Sequence, residues 1–534
     1  VTATARPAPA STRPEAPPAE PAPAGGSWRT GLIGLAVVLL VAAGVRFHDL
    51  GHASFWLDEI LTVNRTTGHT VTRQYYEHDR ILTSPLDVFS FGQAKPATAI
   101  WTALDEDVHP PFFYLLLRAW RQAGLDGEVG LRCLSAAASV GAAAALFVAL
   151  RLATGRNDVA LWAAALLAAA GPQVYYAREM RSYTVLLLLL LVATALLVWV
   201  ERRGPAWYRV ALLGLVAFAA MMTHYAAIGP CGMMGVYALV SLRGAARVRA
   251  ASALAIAAAL FAVVWGPAML RQRAGDSAAR IDFVADRTGA GPLRHLDRLA
   301  TLPARALYTP GDGESIPMPL LYAGVLVYAG AAALLWKRRG AVLWVMLFAG
   351  AVAPVLAADV SQRTQAMLYS RYVLAAGPPI VALLALAALA GRGPWRWAGH
   401  ALLAAVLLWC ASGLPNAVEA DKENWRVVGR AFDDALMPGD LIVFATDAQN
   451  PWLADTAYMG IDFYADRLPW PTAFLSQPPS PELAAQIRGY RRIFLFTPRT
   501  ATPRTDLLPG WRAEETFNLM QMGGLGALTR LSPA

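Results

Sequence analysis

Charge is what this sequence has least of. Only 16% of its 534 residues are Asp, Glu, Lys or Arg, where soluble globular chains carry about 25%. With so much apolar residue beside it, that shortage excludes a disordered chain and an ordinary water-soluble globule. Cysteine is scarce as well. Cys133, Cys231 and Cys410 all lie inside apolar runs, so they make neither a disulfide framework nor a zinc spacing. A phosphate-cradling loop is missing too, because Gly523-Gly524-Leu525-Gly526 falls late and precedes no helix. What is present, 56% apolar residues and a mean hydropathy of +0.40, fits a polytopic membrane protein.

A span needs about 20 apolar residues. Such runs fall near 31–47, 130–151, 159–176, 184–200, 207–223, 226–242, 250–270, 319–336, 341–358, 372–390 and 397–412. About eleven transmembrane helices are therefore expected. The first reads as a retained helix rather than a secretory signal, since no A-x-A site follows it. The net charge of +9 raises nucleic acid as a partner, but the distribution of the basic residues argues against it. Arg151/Arg156, Arg202/Arg203/Arg209, Arg243/Arg247/Arg249, Lys337/Arg338/Arg339 and Arg392/Arg396 fall at every second turn, as cytoplasmic loops should. Arg6, Arg13 and Arg29 put the Pro/Ala-rich tail 1–27, expected to be disordered, on that side.

The opposite loops differ in kind. The first outer loop, 48–109, is long and acidic. Segment 110–125 is too short for a span and is expected to lie as an interfacial helix, with Arg118 and Arg121 at the surface. A full crossing there is the competing reading, and it would turn every arginine loop outward. From about 413 the balance turns acidic, with 11 basic and 14 acidic side chains. LIVFAT, a helical stretch near 453–464, RRIFLFT and one or two late strands predict a small C-terminal α/β soluble domain over 413–534. The expected fold class is a polytopic α-helical membrane protein, with 28–412 as its transmembrane domain.

Five outward clusters bear chemistry. Asp58 and Glu59 follow Phe55-Trp56-Leu57 just after the first span; they read as a half-buried general base with its neighbour, or as solvated acids beside a tryptophan anchor. Asp105-Glu106-Asp107-Val108-His109-Pro110-Pro111 reads as a rigid polar rim in which His109 donates to phosphate, or as a polar helix start. Arg178, Glu179 and Arg181 lie between two apolar runs. They either present arginines to an anion or pair Glu179 with Arg178 or Arg181. His224-Tyr225 ends a helix, and a lone interfacial histidine there is also a common structural residue. Arg371 heads the helix after Ser370, suited to a membrane-level phosphate or to snorkelling.

Taken in order, these clusters resemble the GT-C superfamily of polyprenyl-phosphate-sugar glycosyltransferases. The likeness is to the bacterial family-39-like branch related to protein O-mannosyltransferases and aminoarabinose transferases. Trp56-Leu57-Asp58-Glu59 resembles that family's first-loop acidic motif, and Asp107-Val108-His109-Pro110-Pro111 its Asp-Val-His-Pro-Pro. Tyr176 to Tyr183 resembles a Tyr-Ser-Gln-Glu-Ala-Arg-Met-Tyr pattern, with Arg178 in place of Gln. His224-Tyr225, Arg371-Tyr372 and Glu423-Asn424-Trp425-Arg426 are similar to further short signatures. The likeness covers roughly 31–430. It implies a GT-C fold with a catalytic cavity on the outer face of a bacterial plasma membrane. It implies a polyprenyl-phosphate-sugar donor, transfer of a hexosyl or pentosyl group, and an acceptor hydroxyl on a glycolipid, polysaccharide or protein. Asp58 would be the base. His109, Arg181 and Arg371, then Arg178 and His224, would bind the donor phosphate. Glu59, Asp107 and Glu179 would orient these groups or hold a divalent cation.

Two rivals stand beside this. A lipid-linked sugar transporter or flippase should show inverted repeats and broken helices at matching places in two halves, which the sequence does not display. A non-catalytic subunit for envelope-polysaccharide assembly would not need Asp58.

Overall fold

The computed structural model describes residues 27–69, 76–105, 107–274, 292–308, 339–419, 422–465 and 470–534. The predicted span 319–336 and all of the tail 1–27 but Ser27 lie outside the described residues.

Among the described residues seven helices are long and apolar enough to cross a membrane. Among them are α1 (Trp28–Phe47), α5 (Glu128–Thr154) and α8 (Tyr183–Arg203). Helices α6 (Asn157–Ala169) and α7 (Gly171–Ala177) together make an eighth apolar stretch, bent by 60°. The bend falls at Ala170, and Pro172 in the first turn of α7 has no N–H to continue the ladder. Inside an apolar bundle the freed carbonyls need other donors. Buried Arg46 supplies one, donating to Ala168 O at 2.9 Å while its Nε bonds Ser139 Oγ at 2.8 Å. Trp207–Met221 and Tyr225–Ser241 are shorter apolar helices. Trp207, Trp395 and Trp397 stand more than three-quarters exposed at helix starts that follow arginine loops, the position of an interfacial aromatic belt.

Helices α5 and α8 pack along their lengths. Ala138, Ala142 and Ala145 keep the α5 face thin, and Thr184 Oγ1 reaches Ser135 O at 2.9 Å. The long loop 48–109 is folded. It carries α2 (Leu57–Thr66), strand β1 (Ile81–Leu82) and α3 (Ala99–Ala103), and α4 (Phe112–Gln122) follows it. At about 1.5 Å per residue, the 11 residues of α4 reach about half of the roughly 30 Å hydrocarbon core. One expectation fails here. Arg118 and Arg121 are buried, not at the surface. The end of α2 and the loop fold over them, and they donate to Thr66 O, Thr66 Oγ1 and Phe89 O.

The C-terminal sheet has the order β1-β3-β2-β4-β6-β5. Strands β2 (Asp440–Ala445), β3 (Thr472–Leu475) and β4 (Arg492–Pro498) are parallel, and β5 (Trp511–Asn518) and β6 (Gly526–Pro533) are antiparallel. Alternate residues of the central strands face opposite ways. Phe444, Phe474 and Phe496 join the core that runs into the membrane helices, while Leu441, Val443 and Leu495 form a second core with Leu483 and Ile487. The edge strand β1 comes from the loop 48–109, Ile81 pairing with Ala473. Loop and C-terminal domain therefore share one sheet. Gly460 lets the Trp425 ring lie where a Cβ would stand 2.5 Å away. Gly460→Ala is expected to destabilise this junction by about 1–3 kcal/mol, read as a lower thermal midpoint.

Candidate functional site

Three stretches meet at the N-terminus of α2, its own first turn, the α7–α8 turn and the chain from Lys422 to Arg426, and residues 107–109 reach the helix at Arg65 in its last turn. A helix N-terminus favours carboxylates, and Asp58 and Glu59 occupy it. Adjacent helical residues point about 100° apart, so the two acids enter different surroundings. Glu59 is buried against Arg132, with Nε to Oε1 at 2.9 Å and Nη2 to Oε2 at 2.7 Å. It also accepts Met180 N at 2.8 Å, which fastens the α7–α8 turn to α2.

Asp58 keeps a third of its side chain exposed, and the nearest cation is Arg181 Nη2 at 3.6 Å. That is ion-pair range but longer than a hydrogen bond. Arg181 is fixed by donating to Asp58 O at 3.1 Å and Thr62 Oγ1 at 2.9 Å. Phe112 N donates to Met222 O at 2.9 Å, which draws His109 to His224 with ring centroids 5.2 Å apart. His224 Nδ1 accepts Ala226 N at 3.0 Å, leaving the proton on Nε2, and its ring lies 5.8 Å from that of Tyr183. Tyr183 is within electrostatic reach of Arg181, Arg371 and Asp58. The Arg371 guanidinium lies over the Tyr369 and Tyr372 rings at 5.2 and 5.4 Å.

Asp107 is buried in an ion pair with Arg65 and accepts Val108 N at 2.6 Å. Glu179 pairs with Lys422 of the C-terminal segment, not with Arg178 or Arg181. Arg178 stands apart from the cluster and donates to His48 O at 2.6 Å and Asp49 O at 2.8 Å, beyond the end of α1. So Asp58, His109, Arg181 and His224 come together, with Arg371 in electrostatic reach of Tyr183 beside them, while Glu59, Asp107 and Glu179 each hold a basic side chain. Among the described residues no three His, Cys, Asp or Glu side chains group as a metal site. Glu59, Asp107 and Glu179 are each paired with a basic side chain, Arg132, Arg65 and Lys422.

Sequence reasoning did not single out Arg132, Arg65, Lys422 or Arg499. A signal existed for Arg132, a charge at the mouth of an apolar run. Glu423 lies in a motif but its task was not legible. Its Oε2 accepts Leu57 N at 2.7 Å and Trp425 Nε1 at 2.8 Å, and Arg499 pairs with it. The C-terminal domain thus holds the residue before Asp58.

Burial lowers the His109 pKa, with Arg181 and Arg65 adding to that and Asp107 opposing it. Asp107 is held well below the usual carboxylate range by Arg65, against burial. A histidine whose folded pKa is depressed gives stability that is full above its unfolded value near 6.5 and declines as pH falls through it. His109→Gln is expected to lose less thermal stability than wild type between about pH 7.5 and about pH 5.5. An equal loss in both proteins would contradict this.

No family model and no curated protein matches the chain. Among solved structures it is similar to ArnT from Cupriavidus metallidurans bound to undecaprenyl phosphate, at 14% identity and a TM-score of 0.49, covering 94% of this chain and 97% of that one. It is similar to the oligosaccharyltransferase AglB from Archaeoglobus fulgidus in complex with an inhibitory peptide and a dolichol-phosphate, at 13% identity and a TM-score of 0.48, covering 88% and 70%. Its likeness to the S. cerevisiae protein O-mannosyltransferase Pmt1-Pmt2 complex bound to the sugar donor is at 15% identity and a TM-score of 0.32, covering 46% of this chain and 34% of that one. The chain itself is a polytopic α-helical protein with a small C-terminal sheet domain.

Proposed function

We propose that this chain is a membrane glycosyltransferase that moves a sugar from a polyprenyl-phosphate donor to an acceptor hydroxyl on the outer face of the membrane. One observation carries the reading. Of Asp58, Glu59, Asp107, Glu179 and Glu423, Asp58 alone has a carboxylate that is partly open and not tied to a cation at hydrogen-bond distance. A base must have a lone pair free for the proton it takes.

In this mechanism Asp58 takes the proton of the acceptor hydroxyl. The oxygen bonds to the anomeric carbon as the bond to the phosphate oxygen breaks, and polyprenyl phosphate leaves with that electron pair. The leaving charge needs fixed donors. Arg181 and Arg371 supply positive charge there, and His109 and His224 supply N–H donors. Glu59, Asp107 and Glu179 serve through Arg132, Arg65 and Lys422, and hold the three stretches in register. A single base and an opposed leaving group give inversion.

The arginine loops place the N-terminus in the cytoplasm, and with about eleven crossings the cluster and the C-terminal domain lie outside a bacterial plasma membrane. A transporter is the weaker reading. Among the described residues there is one broken helix pair, where inverted repeats call for matching breaks in two halves. The test is wild-type protein in proteoliposomes with radiolabelled polyprenyl-phosphate sugars and a membrane extract as acceptor. The expected product has the opposite anomeric configuration to the donor. Retained configuration would overturn the single-base displacement.

A further inference from the structure

The C-terminal domain carries a second, apolar cavity that the transfer chemistry does not use. It has about 250 Å³ and lies between the helix Trp425–Ala435 and the outer strands of the sheet. Phe432, Phe494 and Leu528 line its floor, and Val427 and Ala431 on one side face Phe517 and Leu519 on the other. Val427 and Ala431 are four apart and share one helix face, both exposed. Its polar members are Glu515 and Arg530, which pair with each other at 3.5 Å. A groove whose only charges are already paired selects for an apolar occupant.

Its position says what that occupant is. The groove ends at Leu519, where the β5–β6 hairpin turns. Met522 O in that turn accepts Asn424 N at 3.2 Å, and a Cβ on Gly523 would collide with the Lys422 backbone. The last apolar helix runs Pro394–Glu419. Its long part ends at Ser412 and a short helix, Leu414–Glu419, continues it; three further residues span at most about 11 Å, so the hairpin is held beside the end of that apolar stretch. Met520 and Met522 in the turn and Phe517 next to it are more than a third exposed. Exposed apolar side chains therefore lie between the end of the last apolar stretch and the groove.

We infer that this groove takes one acyl chain of an outer-leaflet lipid, entering over the hairpin. Apolar cavities of on the order of 150 Å³ already hold a benzene-sized molecule. This one suits several methylenes of a single chain, not a whole lipid. The inference does not rest on the transferase reading, since it uses none of the cluster around Asp58.

The experiment uses the full chain in nanodiscs of phosphatidylglycerol and phosphatidylethanolamine. One arm carries a phospholipid with a photoactivatable diazirine on its acyl chain, the other a diazirine-bearing polyprenyl phosphate. The expected result is labelling of peptides containing Val428, Phe432 or Phe517 by the acyl probe. Ala431→Trp, which fills the groove from an exposed helix position, is expected to cut that labelling at least about tenfold while labelling of the membrane helices stays unchanged. Phe517→Ser, which interrupts the apolar wall without filling it, should reduce it less. Three results would overturn the inference: no acyl label in these peptides, equal label in Ala431→Trp, or label from the polyprenyl probe alone. Unchanged thermal stability of Ala431→Trp separates groove filling from unfolding.

Discussion

Asp58→Asn is expected to lower the transfer rate by about 10²–10⁴-fold, the range over which a positioned general base contributes. The amide cannot accept the acceptor's proton, yet it keeps the shape of the side chain. The fold should tolerate it. Asp58 is a third exposed, and Arg181 keeps its hydrogen bonds to Asp58 O and Thr62 Oγ1. Thermal stability and donor affinity should therefore stay close to wild type while kcat falls. Equal turnover in Asp58→Asn and wild type would remove Asp58 from the chemistry and leave its half-open carboxylate as a solvated surface group.

The second large effect is expected at Arg132. Removing one partner of a buried pair leaves the other charge without compensation, at a cost of about 3–5 kcal/mol. Arg132→Met does this to Glu59, which is 1% exposed. It also withdraws the donors to Leu50 O, Ala53 O and Ser54 O, so the approach to α2 loosens. Both thermal stability and transfer should fall, unlike the Asp58→Asn pattern. Adding Glu59→Leu should recover part of the stability, because two apolar groups replace two charges. Recovery should be incomplete, since Met180 N then loses its acceptor. A fully additive double variant would show that the two side chains are not coupled.

These two variants separate what the sequence carries from what only the fold reveals. Apolar runs near 31–47, 130–151 and 184–200 correspond to α1, α5 and α8, because membrane helices are written in local composition. LIVFAT and RRIFLFT correspond to β2 and β4 for the same reason. The convergence of Asp58, Arg181, His109 and His224 was legible only through motif order. The pairs that hold them were not. Glu59 finds Arg132 across 73 residues and Glu179 finds Lys422 across 243, and such contacts leave no periodic trace. Arg118 and Arg121 show the converse. On α4 they look like a surface pair, and only the folded first loop shows that backbone carbonyls surround them. Strand β1 is two residues long, too short for any pattern, yet it ties that loop to the C-terminal sheet.

Glu423 joins these observations. Its carboxylate reaches Leu57 N, Trp425 Nε1 and Arg499 at once, so the C-terminal domain sets the N-terminal turn on which Asp58 stands. Removing the domain is therefore expected to disturb the Leu57–Asp58 turn, so its loss would not isolate the site.

The central claim is tested most directly by sugar transfer from radiolabelled polyprenyl-phosphate-mannose, with polyprenyl-phosphate-arabinose and polyprenyl-phosphate-glucose in parallel. Purified wild type and Asp58→Asn are compared with a crude membrane extract as acceptor. Turnover of at least one donor by wild type, collapsing in Asp58→Asn at unchanged thermal stability, is the result predicted here. Wild-type protein that binds the donors but transfers none of them would contradict the account and favour transport or assembly.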